Sequence, residues 1–340
     1  MTMTHNEVFK KTMPFVWAKL LLGLITVGVS LVIFLLFVLI SWLTGWGGSF
    51  FLFIIWIALT SGLHFFLTRY VGYLVKAGHV AVVAETVTTG KVPENQVQYG
   101  KEMVKKRFIS ANVFFLIDGL VDRAVKQIQN RVGRLGGFVL GAVPGAGMIL
   151  SFGKFFIGVS LKYVDECCMG WIFHNKEQKA FKSAVDGIVI YAQNWKKLLG
   201  TAFKTSLIVI AVSSVFAIII YSIINGFFHL LLGGIFFRSP VWSLIIFVLS
   251  IYVAIVVKNA FIDSYMMVRM MVSYMEVAPS TKISFDLYGK LCKISAGFKK
   301  LFDKSKEEKA EQQQSEDSSF LDTFIPSDPH DEDEFNWDGA

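Results

Sequence analysis

The stretch FVWAKLLLGLITVGVSLVIFLLFVLISWL, residues 15–43, decides the fold class. A bilayer core about 30 Å thick needs about 20 apolar residues in helix, and this run exceeds that length. It is too long for the apolar part of a secretion signal and has no small-residue cleavage site, so it is expected to remain as a span. Phe50–Leu74, Ser206–Ile224 and Val241–Ile262 pass the same test. Composition agrees: 54% of residues are apolar, 15% aromatic and only 17% charged, against about 25% charged in an ordinary soluble domain. Mean hydropathy is +0.54.

The first two spans form a hairpin through residues 44–49, a chargeless turn flanked by Trp42 and Trp46, as at an outer interface. Lys10, Lys11 and Lys19 precede the hairpin, and Arg69, Lys76, Lys91, Lys101, Lys105, Lys106 and Arg107 follow it. Lys and Arg are retained on the cytosolic side, which puts the N-terminus there. The second hairpin repeats the pattern: Lys196, Lys197 and Lys204 come before it, Arg238 lies between its arms, and Arg269, Lys282, Lys290 and Lys293 come after. The C-terminus is therefore expected in the cytosol too. This retention accounts for the net charge of +7 without nucleic acid.

The expected fold is all-α, a polytopic integral membrane protein with about four clear transmembrane helices, a Gly-rich re-entrant or interfacial segment and cytosolic amphipathic helices. Its divisions are a cytosolic N-terminus (1–14), a transmembrane hairpin (15–74), cytosolic or interfacial helices (75–132) and a Gly-rich membrane-associated segment (133–174). A cytosolic amphipathic segment (175–205), a second hairpin (206–276), a basic amphipathic helix (277–304) and a disordered acidic tail (305–340) follow. Phe108, Val113, Ile117, Leu120, Val121 and Ile128 recur at helical spacing among Asp118, Asp122 and Lys126, which makes that segment one-sided. Residues 133–161 have basic flanks on both sides and are too few for two spans. A broken or re-entrant hairpin around Pro144 is expected, where protein or water must cover the backbone. Residues 315–340 carry nine acids and no Lys or Arg, a composition that cannot bury a core.

Charge inside an apolar run costs about 2.5–3.5 kcal/mol on insertion and so marks function or pairing. Lys258, Asn259 and Asp263 lie at the inner end of the last run. In a straight helix Lys258 and Asp263 are five positions apart and poorly aligned, so Lys258 is expected to snorkel to the interface. With His64, Tyr252 and Tyr265 they are the candidates for a substrate path; aromatic rings suit a cationic head, and a neutral imidazole suits a polar route. Gly133, Gly137, Gly141 and Gly145 form a stripe read first as close helix packing and second as a pore-lining element. Asp165 and Glu166 read as a solvated face. Cys167, Cys168 and Cys292 read as structural thiols, and neither a metal motif nor a nucleophile–base set appears, so no cofactor and no enzymatic activity are expected.

One further block runs from Ile188 to Phe203: Ile188, Ile190, Tyr191, Asn194 and Trp195, then a gap, then Ala202 and Phe203. It resembles a block of the choline transporter-like proteins, I-x-I-Y-G-x-N-F followed at the same distance by Ala-Phe and a span. Ala192 stands where that family has glycine, and Lys196 where it has cysteine. A second block, Phe261, Tyr265 and Met267, is similar to the pattern closing that family's transmembrane region. The resemblance covers about residues 150–300. It implies movement or sensing of a small cationic or amphipathic solute, in the plasma membrane. The residues alone leave open a non-transporting scaffold or assembly factor that recruits a protein partner through cytosolic helices and the acidic tail. The remaining partner is the lipid bilayer.

Overall fold

The computed structural model describes residues 3–44, 49–108, 111–140, 163–232 and 240–324, and among them every regular element is helical. A short α1 (His5–Lys11) opens the chain, closed by a capping box in which Glu7 Oε2 accepts from Thr4 N–H at 2.8 Å. The first hairpin is α2 (Met13–Thr44) and α3 (Ser49–Phe66), which passes through a π turn (Leu67–Gly72) into α4 (Tyr73–Thr89). Gly90 ends α4 in the left-handed region, φ +70°, where glycine pays no Cβ penalty. Next come α5 (Gln96–Arg107), α6 (Ala111–Leu140), α7 (Val164–His174) and α8 (Ala180–Gln193). The second hairpin is α9 (Trp195–Leu232) and α10 (Pro240–Val257). It too ends in a π turn (Lys258–Ile262), which leads into α11 (Asp263–Met275), α12 (Phe285–Ile294) and α13 (Ala296–Phe324).

Among the described residues three helical stretches are long and apolar enough to cross a membrane: Met13–Ile40, Trp195–Leu230 and Ile246–Ser280. Their side chains are spread outward, with Leu35, Leu36, Ile218 and Leu230 all exposed. An apolar surface of that extent is not carried in water. The expected span Phe50–Leu74 is instead divided between α3, the π turn and the start of α4, and its described apolar run, Ile54–Leu63, is shorter.

The hydrophobic core lies beyond the spans, in a bundle built by α4, α6, α7, α8, α11, α12 and α13. Val80, Ile172, Phe173, Ile190, Met271 and Phe298 are buried there, each contributing about 1.5–3 kcal/mol by leaving water. Gly187 lets α8 approach α7 so closely that a Cβ would stand 3.1 Å from Cys168 Cα. Helix ends are tied by side chains from elsewhere. Arg107 donates to the carbonyls of Asn175, Lys176 and Gln178 at 2.7–3.0 Å, and Glu308 of α13 accepts from the Phe181 N–H at the start of α8.

Several divisions move. Val164–His174, assigned above to a membrane-associated segment, is α7, which supplies the buried Cys167, Cys168 and Phe173. Residues 195–205, assigned to a cytosolic amphipathic segment, are continuous with the apolar stretch Trp195–Leu230 as part of α9. Beyond Asp263 the last helix of the second hairpin, still within the apolar stretch Ile246–Ser280, buries Met266, Met267, Met270 and Met271 in the core. Residues 305–324, expected to be disordered, continue α13, whose first turns dock on the bundle through the buried Phe298 and Leu301. Gly133 and Gly137 lie on α6, while Gly141, Gly145 and the proposed re-entrant turn at Pro144 fall outside the described residues.

Candidate functional site: a charged cavity where spans meet the bundle

A cavity of about 490 Å³ opens between the bundle-side ends of α2 and α10, both π turns, α4 and the start of α7. Its span-side wall is apolar, with Leu22, Ile255 and Val256, Met267 adds an apolar face from α11, and the rings of Tyr73, Tyr163 and Tyr252 stand around it. Charged groups gather at the bundle end: Lys19 from α2, Lys76 from α4, Glu166 from α7 and Asp263 from α11.

Lys76 Nζ sits 2.8 Å from both Asp165 Oδ2 and Glu166 Oε1. One ammonium thus faces two carboxylates. Burial opposes the charge of Lys76, but Glu166 and Asp165 outweigh it and raise its pKa above the usual lysine value. Asp165 is pulled the other way: burial works against it, and the Lys76 charge overcomes this and lowers its pKa. Glu166 takes the remainder, its pKa raised by burial and then by the charge of Asp165. It is only 5% exposed, and among the described residues its Oε2 has no hydrogen-bond partner. A buried carboxylate oxygen without a donor costs several kcal/mol when ionised. Around the cavity Lys19, Lys76 and Lys258 stand against Asp165, Glu166 and Asp263, so what lacks a partner among the described residues is the second oxygen of Glu166.

A hydrogen-bonded chain leads from the cavity to α1. Lys19 Nζ donates to Ser264 Oγ at 2.9 Å and lies 3.0 Å from His79 Nδ1. The other ring nitrogen, Nε2, lies 3.0 Å from Thr12 Oγ1, whose hydroxyl donates to Val8 O. Burial, then the nearby Lys19 charge, lowers the His79 pKa well below its ordinary value. With His79 neutral, Nδ1 accepts from Lys19 and Nε2–H donates to Thr12. On the far side of Lys76, Asp118 faces Tyr73, and burial pushes its carboxyl up to about 6.

Of the residues singled out in the sequence, Tyr252, Asn259 and Asp263 line this cavity. Lys258 does not snorkel free: its Nζ donates to Asp263 Oδ1 at 2.9 Å. The π turn is the reason. It widens the helix by one residue per turn, which brings positions five apart onto one face. Tyr265 points away, its hydroxyl donating to Asn6 and its ring edge-on to Phe9 of α1, so it belongs to the seat of α1 and not to a path. The His64 side chain lies outside the described residues. Asp165 and Glu166 are no solvated face; they are the ion pair's acids. Lys76 and Glu166 are ninety positions apart in sequence, and no local spacing could have joined them. The signal that was available was Lys19, a cation inside the first apolar run.

The Ile188–Phe203 block is a joint. Ile188, Ile190, Tyr191 and Ala202 are buried in the core, while Trp195 is 50% and Phe203 44% exposed. Asn194 lies between α8 and α9. Its carbonyl accepts from Lys197 and Leu198 N–H, and its amide donates to Ile190 O at 2.9 Å and to Thr281 Oγ1 at 3.0 Å.

Apolar helices of spanning length over a buried helical bundle make this an all-helical, membrane-embedded protein. No protein-family model matches the chain, and neither the curated proteins nor the solved structures contain a significant match to it.

Proposed function

We propose that the protein binds, and carries across the membrane, a small cationic or amphipathic solute whose positive head sits against Glu166. The observation that supports this most is the unpartnered oxygen of Glu166: Lys76 holds its other oxygen and Asp165, and Glu166 lines a cavity with an apolar wall and three tyrosines. A primary ammonium can donate to that oxygen and a quaternary one can lie against it, and aromatic faces add cation–π attraction of about 0.5–2 kcal/mol. The blocks at Ile188–Phe203 and Phe261–Met267 lend the same reading through their resemblance to choline transporter-like proteins. In this reading four helices cross the plasma membrane and both termini and the bundle lie in the cytosol, a placement that the basic residues around the bundle support.

The test is uptake by the full chain in liposomes. Choline or ethanolamine should accumulate saturably, and Glu166→Gln should abolish most of the uptake while the protein still inserts. Uptake by wild type no greater than in empty liposomes would refute transport.

A further inference from the structure

A second hollow, of about 480 Å³, runs between α9 and α10 beside the cavity. The two share Ile255 as a wall. This groove is apolar along most of its length and open to the side: Ile218 of α9 is 66% exposed and Phe247 of α10 is 49% exposed. The helices run antiparallel, so Tyr221 and Phe247, with ring centroids 6.0 Å apart, mark one end, and Ser213 and Lys258 fall at the other. Ser213 Oγ is buried there without a partner among the described residues.

Lys258 lines the groove, whereas its ion-pair partner Asp263 lines the cavity together with Glu166. The order from groove to cavity is therefore alkyl surface, hydroxyl and cation, then the carboxylates of Asp263 and Glu166, with Lys19 and Lys76 behind them in the same lining. A ligand that complements it carries an alkyl chain, then an anion, then an ammonium. Building on the solute-site reading above, we propose that the natural ligand is a single-chain zwitterionic phospholipid. Its chain lies between α9 and α10, its phosphate meets Lys258 and Ser213, and its ammonium meets Asp263 and Glu166. The headgroup enters by exchanging partners with the Lys258–Asp263 pair, each charge meeting its opposite on the ligand. The chain stays in contact with the bilayer throughout, which spares the cost of drawing it through the polar bundle.

Titration of the purified full chain in maltoside micelles with choline, phosphocholine and decylphosphocholine tests this. Decylphosphocholine should bind at least about tenfold more tightly than choline, a difference of about 1.4 kcal/mol. Ala217→Trp, which fills the groove, should remove that gain and leave choline affinity and melting temperature unchanged; Ser214→Phe is the second groove-filling variant should the first fail to fold. Choline binding with no gain from the chain, or a gain that survives both variants, overturns the lipid assignment and leaves the solute site standing. Absence of binding by choline and by the amphiphile alike overturns both.

Discussion

Asp118 shows how single residues set this protein's response to pH. Its carboxyl, buried near Tyr73 and Asp165, titrates at about 6, above its ordinary value near 4. The fold therefore favours its protonated form. The stability this gives is fully present below the ordinary value and is lost as pH rises from about 4 to about 6, on the order of 1–2 kcal/mol after allowance for solvent. Chemical denaturation from pH 4 to 7 should show this fall in wild type relative to Asp118→Asn; parallel curves would contradict it. Asn194 makes a second case. Losing its amide's two bonds in Asn194→Ala should cost about 1–2 kcal/mol, whereas half-exposed Trp195→Ala should cost less than half of that. A thermal melt that ranks them the other way would remove the structural reading of the joint. The sequence made the Asn194 block conspicuous but not its role, because the Thr281 partner is eighty-seven positions away.

At the scale of elements, helix existence was legible and helix limits were less so. The apolar runs announced α2, α9 and α10 by length, and the one-sided spacing of Ile117, Leu120 and Val121 announced α6. The π turns at Leu67–Gly72 and Lys258–Ile262 were not legible, since a π turn is one inserted residue whose compensation comes from tertiary contacts. They matter because each joins a span-side helix to a bundle helix beside the cavity. Close helix approach is equally silent in sequence. A Cβ on Gly100 of α5 would lie 2.9 Å from Gly78 Cα and Gly78 O of α4, while one on Gly119 of α6 meets nothing within 4 Å. Gly100→Ala should therefore destabilise by about 1–3 kcal/mol, and Gly119→Ala should stabilise by about 0.5–1 kcal/mol. Melting temperatures that move in opposite directions are the expected result; equal shifts would mean that α4 and α5 are not in backbone contact.

At the scale of the whole molecule, the chain places a lipid-facing layer and a buried bundle end to end, and puts its charged cavity at their junction. Composition revealed the layer, and the basic residues are the ground on which the bundle end is proposed to be cytosolic. The bundle was underestimated, because α7, α11 and the first part of α13 are apolar or charged in patterns that read as membrane segment or tail until their long-range partners are seen. Orientation is checked by labelling intact cells in a Cys292→Ser background, where the remaining Cys167 and Cys168 are buried. An impermeant maleimide should label Leu230→Cys, at the far end of α9, and should spare Lys101→Cys until the membrane is opened. Labelling of Lys101→Cys in intact cells would reverse the topology.

The central claim is that a cationic solute binds against Glu166, whose second oxygen has no partner among the described residues. Calorimetric titration of choline into wild type and Glu166→Gln, with melting temperature as a control on folding, measures it directly. The account predicts saturable binding by wild type and at least about a tenfold loss, about 1.4 kcal/mol, in a stably folded variant; equal affinity in the two proteins would contradict it.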